Sequence, residues 1–296
     1  MRILLDTSSL IDLIERSQPC SLDHFENDLR SRGDKLLLST SNILEISAPL
    51  LHPNPRTNVM GVLTRLDRLP IEYISGARNL VLELEEAVSA LADGREYGRV
   101  HPYVNRFDFA MTVWGEPVTA NFIGFGLPEV VFTLWNETPE ILNPYRRYAR
   151  PLQELFERDR SLKKKPSLRD HFVVTIERNL GTARITVAPQ NIARLARWIY
   201  NDCARCPGIR LGYEVYHRHL KNLGDKPKAG DFADREQIQC IPYADIVTID
   251  RRMRSYVSQA CDGAGLPYRG RLYANLSEAL IALRARRSSE GAVSPH

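Results

Sequence analysis

The sequence predicts an α/β fold with a mainly parallel sheet and a long, mostly helical insertion. Short apolar runs near both ends of the chain have the composition of buried strands, and the runs ILL and IVTI are followed closely by acidic residues. Stretches with helical spacing separate these runs, and the connections between them are short. Because parallel strands need a crossover between them, usually a helix, this alternation indicates a parallel sheet.

The first part of the chain supplies two predicted strands and three predicted helices. The pattern gives a strand over residues 3–5, a helix from Ser8 or Ser9 to Arg16, a helix over 22–32 and a second strand over 35–38. The sequence STSN then provides the residues that start a helix bearing Glu45. Pro49 and the stretch LLHPNPRT break the pattern, so we place a boundary near Pro53.

The last part of the chain returns to alternating strands and helices. Helices are predicted over residues 231–241, 251–259 and 277–284, and strands over 246–249 and 271–273. We therefore expect a core made of residues 1–52 and 225–284, whose two halves pair in space. Residues 53–224 form the predicted insertion, which is too long for a plain loop. The polar tail 285–296 is expected to be disordered.

Acidic residues follow the predicted strands at both ends of the core. Asp6 follows the first strand, Asp250 follows the strand over 246–249, and Glu45 lies just past LLLSTSNIL, on the helix after the second strand. The carboxyl ends of neighbouring parallel strands open into one crevice, which is the usual ligand position in such sheets. Carboxylates gathered there repel one another unless a hard divalent cation neutralises them. The sequence therefore predicts a metal site suited to phosphate chemistry.

A fourth carboxylate comes from the segment GDFADREQIQCIPYAD, where Asp231 and Asp234 both lie near the start of a predicted helix. Asp234 has Ile238 and Ile241 four and seven positions later, so it shares their apolar face. Asp231 has the position of the helix N-cap. The spacing favours Asp234 as the metal ligand, and Asp231 remains the alternative.

The chain resembles the PIN-like nuclease family, and the resemblance lies in MRILLDTSSLIDL, LLLSTSNILEIS and GDFADREQIQCIPYADIVTIDRRM. It implies a Rossmann-like, three-layer α/β/α sandwich whose acidic cluster holds Mg²⁺ or Mn²⁺ for cleavage of RNA or, less often, DNA. The family's acidic positions fall on these residues of the present chain: Asp6, Glu45, Asp234 or Asp231, and Asp250. The predicted insertion has no recognised counterpart, so no residue there inherits a role.

Composition narrows the possible partners. The chain carries 40 basic and 36 acidic residues, so any surface that binds nucleic acid has to be local. Arg251 and Arg252 lie beside the acidic cluster and are predicted to bind the scissile phosphate, whereas Lys163–Lys165 are candidates for more distant contacts. Five scattered cysteines suit reduced thiols, and neither a signal peptide nor a membrane-spanning run is apparent, so we expect a cytoplasmic protein.

The sequence therefore predicts a metal-dependent endoribonuclease in which Asp6, Asp234 and Asp250 hold the cation and Glu45 lies beside a second one. The alternative is a catalytically inactive PIN-like module that binds a protein or a nucleic acid. A phosphate-binding loop of the GxxxxGK[ST] type is absent from the sequence. Expected partners are RNA in preference to DNA, an inhibitor protein and a second copy of the chain.

Overall fold

A computed structural model describes most of the chain. The described residues are 1–16, 20–51, 58–107, 112–113, 116–117, 122, 124–137, 150–162, 167–225 and 230–291.

The described residues form seven strands and thirteen α-helices. The strands are β1 (Arg2–Leu4), β2 (Lys35–Ser39), β3 (Ile71–Ile74), β4 (Thr112–Val113), β5 (Glu116–Pro117), β6 (Ile246–Thr248) and β7 (Leu272–Tyr273). The helices are α1 (Thr7–Glu15), α2 (Leu22–Arg32), α3 (Thr40–Ser47), α4 (Val59–Asp67), α5 (Gly76–Asp93), α6 (Leu127–Glu137), α7 (Arg150–Ser161), α8 (Leu168–Thr182), α9 (Pro189–Tyr200), α10 (Pro207–Lys221), α11 (Gly230–Cys240), α12 (Arg251–Ala264) and α13 (Leu276–Gly291). Within these parts of the chain, no helix combines the length and the apolar character needed to cross a membrane.

The centre of the fold is a five-stranded sheet in the order β3-β2-β1-β6-β7, and every pair of neighbours is parallel. Strand β1 pairs with β2 on one side and with β6 on the other, so Ile3 lies opposite both Leu36 and Ile246. The predicted α/β class with a parallel sheet is confirmed. All five strands end at the same edge, which places the residues that follow β1, β2 and β6 near one another.

Helices cover both faces of the sheet and make it the middle of three layers. Successive residues of a strand point to opposite faces, so Ile3 packs with helices α1 to α4, α6 and α13, whereas Leu4 packs with α10, α11 and α12. Both side chains are almost completely buried. The layers leave the carboxyl edge of the sheet as the place where the polar side chains meet.

A third hydrophobic core joins α5, α8, α9 and α10 beside the sheet. The buried carboxylate of Glu83 in α5 ties this core to the rest of the protein. It accepts hydrogen bonds from the first amides of α10, at Gly208 (2.7 Å) and Ile209 (2.9 Å), and from the hydroxyl of Tyr243. Burial raises the pKa of Glu83 to about 7, although these donors oppose the shift.

The predicted boundary near Pro53 lies outside the described residues, and the core extends beyond it. Strand β3 joins the central sheet next to β2, and Leu63 of helix α4 is completely buried in the first core. Helix α6 also lies within the range assigned to the insertion, and its apolar face packs in the same core. The range assigned to the insertion therefore contributes an edge strand and two helices to the α/β unit.

The tail predicted to be disordered from residue 285 is helical as far as Gly291. The side chain of Arg287 is 7% exposed and pairs with Asp28 and Asp34, with 2.8 Å between its Nη2 and Asp34 Oδ2. These ion pairs from the beginning of the chain stabilise a segment whose own composition is polar. Residues 292–296 lie outside the described part.

Candidate functional site

Asp6 lies at the end of β1, where its carboxylate is held by two neighbouring elements. Its Oδ1 accepts a hydrogen bond from Ser9 N (2.9 Å) and thereby caps helix α1. The hydroxyl of Thr248 at the end of β6 accepts from Asp6 N (2.7 Å) and donates to Asp6 Oδ1 (3.0 Å). Thr248 therefore fixes both the position and the orientation of the carboxylate.

Glu45 reaches the same edge of the sheet from helix α3. This helix begins with a capping box, in which Ser39 and Asn42 satisfy each other's backbone amides. The hydroxyl of Thr7, next to Asp6, donates a hydrogen bond to Glu45 Oε2, and Asn42 Nδ2 donates to Thr7 Oγ1 over 3.2 Å. Glu45 is thus attached to the first turn of α1.

Asp250 is the N-cap residue of helix α12. Its Oδ1 accepts hydrogen bonds from the amides of Arg252 (2.8 Å) and Met253 (3.2 Å). Within the described residues, no hydrogen bond reaches the Oδ2 atom of Asp250 or that of Asp6. Each carboxylate is therefore oriented through one oxygen and keeps the other available for a ligand.

Asp234 lies in the second turn of helix α11 and is partly buried, in line with its predicted place on the face of Ile238 and Ile241. Both isoleucines are completely buried. No donor in the described parts of the chain bonds to the Asp234 carboxylate. Burial raises the pKa of Asp234 to about 7, and the negative charges of Asp250, Glu45 and Asp6 add to the shift. The four carboxylates predicted from the sequence therefore lie close enough to affect one another.

Asp231 belongs to a different group of side chains. It lies in the first turn of α11, because the helix begins at Gly230, and it is 4% exposed. Its carboxylate pairs with the guanidinium of Arg252, which also contacts Asp225 Oδ1 at 3.1 Å. His219 lies on the same side, with its Nε2 3.6 Å from Asp225 Oδ2. Asp231 thus pairs with a cation, and Arg252 is neutralised by two carboxylates.

Arg251 has the opposite environment from Arg252, although the two are adjacent in sequence. Its side chain is exposed next to Asp250, and none of the described residues pairs with its guanidinium. A guanidinium in this position is free to bind a phosphate. Of the two arginines predicted to bind the substrate, the structure leaves only Arg251 available. The more distant candidates, Lys163–Lys165, lie outside the described residues.

The sequence interpretation did not single out Glu236, which lies two residues after Asp234. Its carboxylate accepts hydrogen bonds from Thr40 at the end of β2 and from Ser75 Oγ (3.1 Å) at the end of β3. Burial raises the pKa of Glu236, and the charge of Glu45 adds to the shift. Glu236 therefore anchors α11 across the strand ends. The hydroxyl residues that follow β2 and β3 are the signal that could have revealed this contact.

The chemistry of the four carboxylates fits a hard divalent cation, since all their donor atoms are oxygens. The fit is supported by the unbonded oxygens of Asp6 and Asp250 and by the carboxylate of Asp234, which no described donor stabilises. As the side chains stand, no group of three or more His, Cys, Asp or Glu residues in the described chain is spaced to hold a metal ion. The carboxylates would have to move closer together to share one.

Comparison with known proteins gives no match: no family model, no curated protein and no solved structure is similar to this chain.

Proposed function

We propose that the protein is a metal-dependent endonuclease of the PIN-like class that hydrolyses phosphodiester bonds, most readily in RNA. The observation that carries this proposal is the environment of Asp234. Its carboxylate is partly buried close to three further carboxylates and has no hydrogen-bond donor among the described residues, which is electrostatically costly. Clusters of this kind are typical of functional sites, because a bound cation removes the cost. The preference for RNA over DNA rests on the sequence resemblance alone.

Asp6, Asp234 and Asp250 would hold Mg²⁺ or Mn²⁺. When bound, such a cation would act as a Lewis acid for the scissile phosphate and would lower the pKa of a coordinated water molecule towards neutrality. The chain provides the orientation: Thr248 and the Ser9 amide of α1 fix Asp6, and two amides of α12 fix Asp250.

Two further residues complete the proposed site. Thr7 holds Glu45 beside Asp6, where it adds negative charge for a second cation. Arg251 lies exposed beside Asp250 and binds an oxygen of the substrate phosphate. This arrangement needs no His, Ser or Cys nucleophile.

We expect the protein to cleave single-stranded RNA in Mn²⁺ and to lose this activity completely in excess EDTA. The assay uses an RNA and a DNA oligonucleotide of the same sequence, and the Asp6→Asn variant serves as the negative control. Cleavage that persists in EDTA would contradict the proposal. Tight binding of RNA without cleavage in Mg²⁺ or Mn²⁺ would instead favour the inactive module.

We also expect Arg251→Ala to raise KM for RNA about three- to tenfold, because one charge-assisted contact to phosphate contributes about 1 kcal/mol. The unfolding temperature should stay within about 1 °C of wild type, since the side chain is exposed and unpaired among the described residues. Steady-state kinetics and thermal unfolding test the two statements. An unchanged KM would show that the phosphate lies elsewhere.

A further inference from the structure

The positive charge of the chain is concentrated in one segment. Residues 150–225 contain 15 Lys and Arg against 8 Asp and Glu, whereas residues 1–149 contain 14 against 20. The basic segment includes helices α7 to α10. A local excess of positive charge favours an anionic partner and raises its local concentration.

A cavity of about 270 Å³ opens within this basic segment, between the end of α9, one face of α10 and the end of α12. We call it the Glu214 cavity, and it is lined by Leu168, Tyr200, Arg210, Glu214, His217, Arg218, Lys221, Gly263 and Ala264. Gly263 has no side chain and so leaves room for the guanidinium of Arg218. A Cβ atom at residue 263 would clash with that guanidinium.

Glu214 fixes two of the cations of the cavity. Glu214 is a buried residue, with 1% of its surface exposed. Its carboxylate contacts Arg218 Nη1 at 2.6 Å and Arg210 Nη2 at 3.1 Å. The guanidinium of Arg210 also lies 3.8 Å from the centre of the Tyr200 ring and donates to the Tyr200 carbonyl. Because Arg218 is held at Nη1, its remaining donors are oriented before any ligand arrives.

Two further cations, one that lines the cavity and one that follows the lining residue Leu168, have no acidic partner among the described residues. Lys221 lines the cavity and is exposed, and Arg169 is exposed with its guanidinium 5.8 Å from the Tyr200 ring. The single negative charge of Glu214 neutralises only one of the two positive charges of Arg210 and Arg218. Arg169, Arg210, Arg218 and Lys221 therefore exceed the negative charge of Glu214 by three, which suits an anion.

Helices α10 and α12 connect the Glu214 cavity with the acidic cluster. Arg218 in α10 lies against Gly263 near the end of α12, whereas Asn222 Nδ2 donates to the hydroxyl of Tyr256 (2.9 Å), closer to the start of α12. The two helices therefore run antiparallel. Residues 252 and 263 lie near the two ends of α12. At a rise of 1.5 Å per residue they are about 16 Å apart along the helix axis. This distance corresponds to about five nucleotides of a stacked strand at 3.4 Å each.

We propose that the Glu214 cavity is an accessory subsite for a backbone phosphate of the RNA strand, several nucleotides from the bond that is cleaved. The proposal rests on the proposed function. Arg169, Arg218 and Lys221 contact the phosphate, and Glu214 and Arg210 position Arg218. Such contacts strengthen binding without reading the base sequence.

The test measures binding of fluorescently labelled RNA by anisotropy in the Asp234→Asn background, with an oligomer of three nucleotides and one of twelve. The variant carries Arg169→Ala and Lys221→Ala, both at exposed positions. The matched control carries Arg16→Ala, just past the end of α1, and Arg32→Ala, at the end of α2. Both residues are exposed on the opposite side of the sheet, and their replacement changes the net charge equally. Thermal unfolding confirms that all proteins remain folded.

We expect the variant to bind the twelve-nucleotide RNA at least five times more weakly than the control does at 0.1 M salt. The slope of log K against log salt should fall by about 0.7 for each phosphate contact that is lost. The loss should be smaller for the three-nucleotide RNA, which cannot span both sites. Equal binding of the long RNA by variant and control would overturn the subsite while leaving cleavage by the wild type intact. Failure of the wild type to bind or cleave RNA would overturn the proposed function as well.

Discussion

The Asp234→Asn variant is expected to cleave RNA at least about a hundredfold more slowly than wild type, and also to be more stable at pH 8 in EDTA. The first effect follows from the loss of a cation ligand, and a hundredfold rate corresponds to about 2.7 kcal/mol in the barrier. The second effect follows from the removal of a carboxylate that is held near Asp6, Glu45 and Asp250. Replacement of a purely structural aspartate would not raise the stability while slowing cleavage.

The stability effect should depend on pH in a defined direction. The pKa of Asp234 rises from 3.8 to about 7 on folding, because burial and the neighbouring carboxylates favour the protonated form. The folded state therefore binds the extra proton between these values, and wild-type stability falls as the pH rises through this window. We expect Asp234→Asn to gain about 2 kcal/mol over wild type at pH 8, and much less near pH 4.

Urea unfolding at pH 4.5 and pH 8 in EDTA measures this difference. Asp262→Asn is the matched control, since Asp262 forms only an exposed ion pair with Arg269 and should show little change at either pH. A destabilised Asp234→Asn protein at pH 8 would mean that the carboxylate has a stabilising partner, and the assignment of Asp234 as a ligand would be lost.

The Arg252→Ala variant is expected to lose about 3 kcal/mol of folding stability, because it removes the guanidinium that pairs with the buried Asp231 and with Asp225. For a chain of this length the unfolding temperature should fall by about 10 °C. Arg251→Ala, one residue away, should be close to neutral. Thermal unfolding of the two variants side by side separates a positioning arginine from a substrate-binding one.

A second substitution tests the cause of this loss. Adding Asp231→Asn to Arg252→Ala removes the buried carboxylate that has lost its ion pair with Arg252, and it should restore a substantial part of the stability. If Arg252→Ala unfolds at the same temperature as Arg251→Ala and wild type, the ion pair with Asp231 contributes nothing to folding stability. Arg252 then becomes a candidate for phosphate binding again.

The central part of the fold could be predicted because it depends on local rules. Asp6 and Asp250 follow strands that are parallel, so their positions at one edge follow from the strand pattern alone. The helical period placed Asp234 on the buried face of α11. The proximity of these residues, on which the candidate site depends, is therefore encoded in short segments.

Other features depend on contacts between distant segments, which sequence spacing does not reveal. Asp231 and Arg252 pair because the end of α10, with Asp225, lies against the start of α12. Strand β3 has only four residues and no acidic residue at its end to mark it as part of the core. The last turns of α13 are polar, and their order depends on Asp28 and Asp34 at the other end of the chain.

The pairing of β1 with β6 has a consequence for the time at which the acidic cluster assembles during synthesis of the chain. β1 is made early and lies in the middle of the sheet, yet β6, one of its two neighbours, begins only at Ile246. A ribosome must therefore translate past Asp250 before Asp6 meets Thr248 and the carboxylates of Asp234 and Asp250. The intervening helices emerge and can fold first, because their contacts are closer in sequence. A nascent chain that has not yet reached β6 accordingly lacks the assembled acidic cluster.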